Sequence, residues 1–317
     1  VSSDERRKTF RADDIGDQSG RRFVVTGGSR GLGEVVTRVL AAKGATVVMA
    51  CRNTAKAQQI ADRIRGDVRV AALDLASLAS VRDFAARQGD VDVLINNAGI
   101  MNIPKTRTVD GFEAQFGVNH LGHFALTGLL LDRIGDRVVT VSSIAHKQTP
   151  KFWIGDLNYE RRVYQRNLAY VQSKLANLMF ARDLQSRLSA MGSSIRSYAA
   201  HPGVSGTEIF DSDKTLNGRV SRRLMRAIGQ SPQRAVESIL FAATAAADPT
   251  IYWGPTRLMQ TRGPVGQCPP SRRAQDRALW SQLWTESEKM TGVIYPFGIS
   301  AAYSGGLAMA GAAHAGP

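Results

Sequence analysis

Acidic residues are scarce in this 317-residue chain: 27 Asp and Glu stand against 41 Lys and Arg, giving a formal net charge of +14. Cysteine is scarcer still, with only Cys51 and Cys268. Two cysteines so far apart exclude the dense disulfide framework of a small secreted domain and point to a reducing compartment, so a cytoplasmic location is expected. No Cys/His cluster has zinc-ligand spacing. An apolar export segment is also missing, since the first 22 residues mix six basic with five acidic side chains. The one long uncharged stretch, residues 292–317, is rich in Ala, Gly, Ser and Pro. It reads as a flexible tail rather than a membrane-spanning helix. No repeat of solenoid length occurs. What is present is an ordinary globular composition, 43% hydrophobic and 21% charged, enough for a sizeable core in one large domain or two small ones. The positive excess suits a nucleic acid, an anionic membrane or an anionic ligand. No aromatic RNA-binding segment or zinc finger accompanies it, so nucleic acid is not the expected partner.

Apolar runs alternate with helical patterns from Arg21 to about Ala200. Residues 22–26 (RFVVT) are short, β-branched and closed by glycines, which predicts a buried strand. Further strands are predicted at 45–50, 68–73, 91–95, 137–141 and 195–200. Helices are predicted at 34–43, 54–65, 78–88, about 111–131 and about 167–190. This β-α-β rhythm predicts an α/β fold of Rossmann-like type, a doubly wound parallel sheet with helices on both faces. Ligands of such sheets bind at the carboxyl ends of the strands.

Those ends carry the chemistry-bearing residues. After the first predicted strand comes Thr26-Gly27-Gly28-Ser29-Arg30-Gly31-Leu32-Gly33. Its glycines allow a tight turn and bring backbone amides at a helix N-terminus up to a pyrophosphate. An NAD site places an acid at the end of the second strand, whereas this chain has Cys51-Arg52-Asn53 and no acid until Asp62. Arg30 and Arg52 are suited to clamp a 2′-phosphate through charge-assisted bonds, so NADP(H) is the expected cofactor. Tyr170 and Lys174, four apart on a predicted helix, share a face. A free phenol has a pKa of about 10, and a neighbouring ammonium favours its ionised form, bringing it toward use as a general acid/base. None of the other tyrosines has a lysine four residues on. Ser142 and Ser143 end the fifth strand, and alternation puts only one of them in the cleft. His120 and His123 lie one helical turn apart without a carboxylate or cysteine partner; a packed or surface role is expected for both, and for His201.

With Asp74-Leu75, Asn96-Asn97-Ala98-Gly99, Asn119, Ser142-Ser143, Tyr170-x-x-x-Lys174 and Pro202-Gly203-x-x-x-Thr207 all in order, the chain resembles the short-chain dehydrogenase/reductase family from about Arg21 to Thr207. The strings 119–124 (NHLGHF) and 173–177 (SKLAN) are similar to its retinol dehydrogenase-like branch. The resemblance implies a catalytic set of Asn119, Ser143, Tyr170 and Lys174, with Ser143 rather than Ser142 holding the substrate oxygen. Asn119 would hold a water near the lysine. It implies cofactor contacts from Gly27, Ser29, Arg30, Gly31, Leu32, Gly33, Arg52, Asp74, Leu75, Asn97, Ala98, Gly99, Tyr170, Lys174, Pro202, Gly203, Val204 and Thr207, and no metal. The 26 residues between Ser143 and Tyr170 resemble an insertion of that branch and are expected to wall the substrate side.

Beyond Thr207 the patterns weaken. Residues 214–236 hold six basic side chains and no acid. They suggest a basic amphipathic lid helix able to brush an anionic surface, which makes peripheral membrane contact a question. The expected organisation is an N-terminal arm (1–20), a single domain (21–291) with a substrate lid at about 208–236, and a tail (292–317). The expected activity is NADP(H)-dependent interconversion of an alcohol with an aldehyde or ketone, on a lipophilic small molecule. Enone reduction and non-catalytic NADP sensing are the rival readings. Oligomeric state is left open.

Overall fold

Phe23, Val24 and Val25 are all fully buried, yet Phe23 and Val25 pack on one side of their strand while Val24 packs on the other. A strand with both faces covered needs helices above and below it, and that is how the chain is built. The computed structural model describes residues 9–204 and 230–297. Its sheet contains β1 (Arg22–Thr26), β2 (Thr46–Cys51), β3 (Val68–Ala72), β4 (Val91–Asn96), β5 (Ile134–Val141), β6 (Arg196–Ala200), β7 (Tyr252–Arg257) and β8 (Arg262–Gln267), in the order β3-β2-β1-β4-β5-β6-β7-β8. Seven strands run parallel, and β8 pairs antiparallel with β7. Central β1 sets the register, with Phe23 opposite Val47 on one side and Val93 on the other. The order turns between β1 and β4, which opens a crevice at the strand ends.

Helices α1 (Gly31–Ala42) and α2 (Thr54–Ala61) cover the first face with Val36, Leu40 and Ala57. The other face is covered by α3 (Leu78–Ala86), the short α4 (Ala114–Phe116), α5 (Gly122–Leu130) and the long α6 (Arg166–Ala190). Between α4 and α5 the backbone forms a π-helical stretch, Gly117–Leu121, continuous with both.

The C-terminal part adds α7 (Pro232–Ala235), α8 (Glu237–Thr244) and α9 (Arg277–Thr291). Asp276 caps the start of α9 by accepting from the amides of Ala278 and Leu279, and Gly292 ends it in the left-handed conformation at φ +62°. Trp284 then packs its ring 5.2 Å from that of Phe124 and 4.6 Å from that of Tyr295, so the chain's own C-terminal helix closes over α5 and α6.

Three expected boundaries move. Part of the N-terminal arm belongs to the core, since Ile15 is buried there and Phe10 packs edge-on against Phe241 at 5.1 Å. The lid expectation of 208–236 lies largely outside the described residues, but 230–236 is not lid. Ala235 and Val236 are fully buried in the cluster under α1, and Arg234 faces Glu237 at 3.6 Å. The tail is expected from Gly292, but 293–295 is not tail, because Val293 and Tyr295 are buried and the Tyr295 hydroxyl donates to the Phe124 carbonyl at 2.7 Å. Residues 298–317 lie outside the described residues. Both cysteines are free and buried. Among the described residues no helix is long and apolar enough to cross a membrane.

Candidate active site

The glycine loop after β1 has the geometry of a close-approach cradle. Gly27 and Gly31 hold φ values of +66° and +53°, left-handed conformations that strain any residue with a Cβ. A Cβ on Gly33 would stand 2.4 Å from the Gly27 carbonyl oxygen, so only glycine lets α1 start directly against the loop. Helix α1 accordingly begins at Gly31, three residues earlier than its apolar periodicity predicts. Ser29 is half-buried in the loop, and Arg30, exposed, is the residue just before the helix. The Leu32 side chain points into the core, so its available groups toward the crevice are backbone ones.

Arg52 stands exposed just after β2. The Gly27 amide donates to the Ala50 carbonyl at 2.8 Å, which ties the end of β1 to that of β2. Asn53 is engaged in capping α2, its side chain accepting from the Lys56 amide at 2.9 Å. Asp74 accepts from the Ala76 amide at 2.9 Å, and Leu75 is buried against the second face.

The turn after β4 is held from beneath by Thr26. Its hydroxyl oxygen accepts from the amides of Asn97 and Ala98, each at 2.9 Å, and lies 2.8 Å from His123 Nε2. His123 Nδ1 lies 2.9 Å from the Asn119 carbonyl, which can only accept. Nδ1 therefore carries the proton, Nε2 accepts, and the Thr26 hydroxyl donates to it. Burial holds His123 down at a pKa of about 4, which keeps this neutral tautomer at working pH. The Asn97 side chain adds a bond to the Thr26 carbonyl at 2.9 Å. Gly99 leaves room over the next layer, since a Cβ there would meet Asn119 Oδ1 at 3.3 Å and Lys174 Nζ at 3.4 Å.

Asn119 sits on the π-helical stretch and is fully buried. Its side chain accepts from the Ile100 amide at 2.8 Å, donates to the Ile100 carbonyl at 2.9 Å and reaches Ser173 Oγ at 2.9 Å. Its amide thus clamps the turn carrying Gly99 onto α6. On α6, Lys174 is buried and donates to the Val141 carbonyl at 3.1 Å, at the end of β5. Its Nζ lies 6.0 Å from the centre of the Tyr170 ring. Tyr170 is half-buried, one turn nearer the helix start. Ser142 is buried and donates to the Lys174 carbonyl at 2.7 Å, whereas Ser143 is half-buried at the mouth of the strand end. The period of two therefore gives Ser142 to packing and Ser143 to the crevice.

The ring of strand ends closes at β6. Gly203 has φ +73° and abuts the Thr261 carbonyl, which accepts from the Val204 amide at 2.9 Å; the Pro202 carbonyl accepts from Gln230 at 2.7 Å. Thr207 lies outside the described residues. Between Ser143 and Tyr170 the insertion folds on itself, with Arg162 paired to Asp156 at 2.9 Å and lying 4.3 Å and 4.0 Å from the ring centres of Trp153 and Tyr159. His120 and His201 are packed. His120 lies 2.9 Å from Ser287 Oγ, and His201 is fully buried with its ring 4.8 Å from that of Tyr252. Sequence reasoning missed Thr26 and His123 as a framework pair, because no local pattern links residues 97 apart in the chain.

A family model described as short chain dehydrogenase matches residues 21–216. Retinol dehydrogenase 13 of Homo sapiens is 36% identical over 298 residues, covering 87% of this chain and 86% of its own length. Polyprenol dehydrogenase of Mus musculus is 35% identical, covering 90% and 88%. A solved structure of an uncharacterized protein from Mycobacterium paratuberculosis superimposes with a TM-score of 0.80 at 42% identity, over 91% of this chain and 100% of that one.

Proposed function

The chain belongs to the short-chain dehydrogenase family, an oxidoreductase family, and on that premise we propose that it interconverts a lipophilic alcohol and its aldehyde or ketone with NADP(H). The observation that carries the reading is the convergence at the strand ends of a half-buried Tyr170, a half-buried Ser143 and a buried Lys174 whose Nζ is 6.0 Å from the Tyr170 ring centre.

The glycine cradle fits a nicotinamide dinucleotide, since Gly27 and Gly31 take the left-handed conformations of a tight turn and Gly33 lets the N-terminus of α1 lie directly against it. Arg30, exposed just before α1, and Arg52, exposed just after β2, would hold a 2′-phosphate. Ser29, Asp74 and the Asn97–Gly99 turn would line the adenosine and ribose side, and Pro202, Gly203 and Val204 the nicotinamide side. When bound, the cofactor supplies the hydride.

The chain's own groups do the rest. In the reducing direction the Tyr170 hydroxyl donates its proton to the carbonyl oxygen as that oxygen gains negative charge. The Lys174 ammonium, held beside it by the Val141 carbonyl, stabilises the charge then left on the phenol oxygen. Ser143 donates a second hydrogen bond to the same substrate oxygen. Its Oγ already accepts from the Ala145 amide at 3.2 Å, which turns its own hydrogen outward. Asn119 fixes the distance between the Gly99 turn and α6 and so keeps the cofactor side and the proton side in register.

Two relatives are named for retinol and for polyprenol, both isoprenoid alcohols, which supports a lipophilic substrate. The test is a panel of aldehydes and ketones of graded chain length and ring size, assayed with NADPH and NADH. Tyr170→Phe is expected to lower kcat by about 10²–10⁴-fold, the usual contribution of a positioned acid, while leaving NADPH binding intact. Full turnover by that variant would overturn the assignment.

A further inference from the structure

The serine assigned to the substrate oxygen stands on a short 3₁₀ turn, Ile144–Gln148, and one side chain of that turn reaches back to it. His146 is fully buried. Its Nδ1 lies 2.7 Å from the Ser143 carbonyl, and its backbone amide donates to the same oxygen at 3.1 Å. Because a carbonyl only accepts, Nδ1 carries the proton and Nε2 is left as an acceptor. That acceptor is met at 3.1 Å by the backbone amide of Ser271, 125 positions away in the segment after β8. The imidazole stands edge-on to the buried Tyr252 at 5.4 Å between ring centres, which fixes its plane.

The next residue makes a parallel link: Lys147 donates to Gln260 at 3.0 Å, in the turn between β7 and β8. Leu258, Met259 and Gln260 in that turn hold φ values of +47°, +54° and +69°, a run of left-handed residues that only firm anchoring maintains. Its neighbour Thr261 holds Val204. The segment after β8 is itself anchored, since the Ala274 amide donates to Ser271 Oγ at 3.3 Å and Trp280 Nε1 donates to the Ala274 carbonyl at 3.0 Å. The turn bearing Ser143 is therefore tied at adjacent positions to the C-terminal part of the fold.

We propose that His146 is a positioning residue for Ser143, its imidazole joining the Ser143 carbonyl to the Ser271 amide so that the C-terminal segment sets where the serine hydroxyl points. The proposal rests on the role given to Ser143 above. His146 touches no reacting atom; it acts through the serine backbone, where a misplacement of about 1 Å in a reacting array costs on the order of 100-fold in rate.

The test is a double-mutant cycle in the full chain, with steady-state reduction of an aldehyde by NADPH. His146→Leu is expected to lower kcat about 10- to 100-fold with the KM for NADPH nearly unchanged. His146→Asn, whose amide keeps a donor to the Ser143 carbonyl, is expected to recover most of that loss. In a Ser143→Ala background, His146→Leu is expected to cost less than about twofold, because the group it positions is gone. An equal loss in both backgrounds would show a merely structural histidine and overturn the proposal. Full turnover by Ser143→Ala would instead overturn the role of Ser143 itself, and the two failures are separable in one data set. Should His146→Leu fail to fold, His146→Met serves in its place, since a thioether has no hydrogen to donate to the Ser143 carbonyl. Unaltered kcat in that variant would equally sink the idea.

Discussion

Replacing Thr26 by Val keeps the volume of the side chain and removes only its hydroxyl, so the consequences follow from the bonds that hydroxyl makes. It accepts from the Asn97 and Ala98 amides and donates to His123 Nε2. The Asn97 amide also lies 2.9 Å from the Ile95 carbonyl and falls back on it. The Ala98 amide and the His123 acceptor have no such alternative. Each polar group left unpaired in the interior costs about 1–3 kcal/mol, while the extra buried methyl returns under about 1 kcal/mol. A net loss of roughly 3 kcal/mol results, and at about 2 °C per kcal/mol for a domain of this size it lowers Tm by roughly 6 °C. Thr26→Ser, which keeps the hydroxyl, should melt close to the parent. The same change loosens the turn against which Gly27 packs, where a Cβ would come within 3.1 Å of Ala98. NADPH affinity should therefore fall as well. Melting followed by circular dichroism and cofactor titration by fluorescence read both effects; a Thr26→Val protein melting within 2 °C of the parent would refute the bond count.

Four histidines are buried and held neutral by desolvation, His120 and His201 at pKa values of about 3, His123 and His146 at about 4. Their folded values lie below the ordinary 6.5, so the unfolded chain binds more protons. Stability is then complete above about pH 6.5 and falls with pH by up to ~1.4 kcal/mol per histidine per pH unit. Against an ordinary total of about 5–15 kcal/mol, unfolding is expected between roughly pH 4 and 5.5, opposed by Glu113, Asp183 and Glu237, which burial raises and which therefore take up protons in the fold above the ordinary carboxylate range. A chain still folded at pH 3 by circular dichroism would contradict the tautomers assigned here. Arg52→Asp removes one clamp on a 2′-phosphate and supplies the acid that the end of β2 lacks. The KM for NADPH should rise about 10- to 100-fold, the value of one or two charge-assisted bonds, while that for NADH falls; an unchanged ratio of the two would dismiss the NADP reading.

Strands β1, β2, β4 and β5 were legible because each carries a β-branched apolar run largely buried on both faces, and such runs survive without tertiary context. Strands β3 (VRVAA) and β6 (RSYAA) were legible from their place in the β-α-β rhythm. The β7–β8 hairpin was not, because Pro255 in β7 and Gly263, Pro264 and Gly266 in β8 are residues that ordinarily break a strand. β8 tolerates Pro264 as the last strand of the sheet, with one side unpaired. The π-helical stretch at Gly117–Leu121 was equally hidden, since its extra residue per turn leaves the apolar pattern of the surrounding helix nearly intact. At the site, the residues facing the crevice announced themselves by type and spacing. Those that hold them, Thr26, His123 and His146, did not, because each acts through backbone amides or carbonyls that carry no sequence signal.

Part of the positive charge is spent on helix ends. Arg133 donates to the carbonyls of Ala85 and Gln88 at 2.7 and 2.8 Å, past the end of α3, and to Leu129 at 2.7 Å, at the end of α5. Arg137 donates to Ala242 and Ala245 at 3.1 and 2.8 Å, at the end of α8, and Arg82 donates to Thr291 at 2.9 Å, the last residue of α9. Helix C-termini carry unpaired carbonyls and a partial negative charge, so a guanidinium there satisfies donors and dipole together. One arginine with several donors serves two helices at once, which a lysine's single ammonium does less well. A charge placed this way stabilises the junctions between layers and is unavailable to an outside partner. Arg30 and Arg52 differ in kind: both are exposed, Arg30 at the N-terminus of α1 and Arg52 just after β2, and neither serves a helix C-terminus. Exposed at the crevice, these two are placed to meet an anionic ligand there.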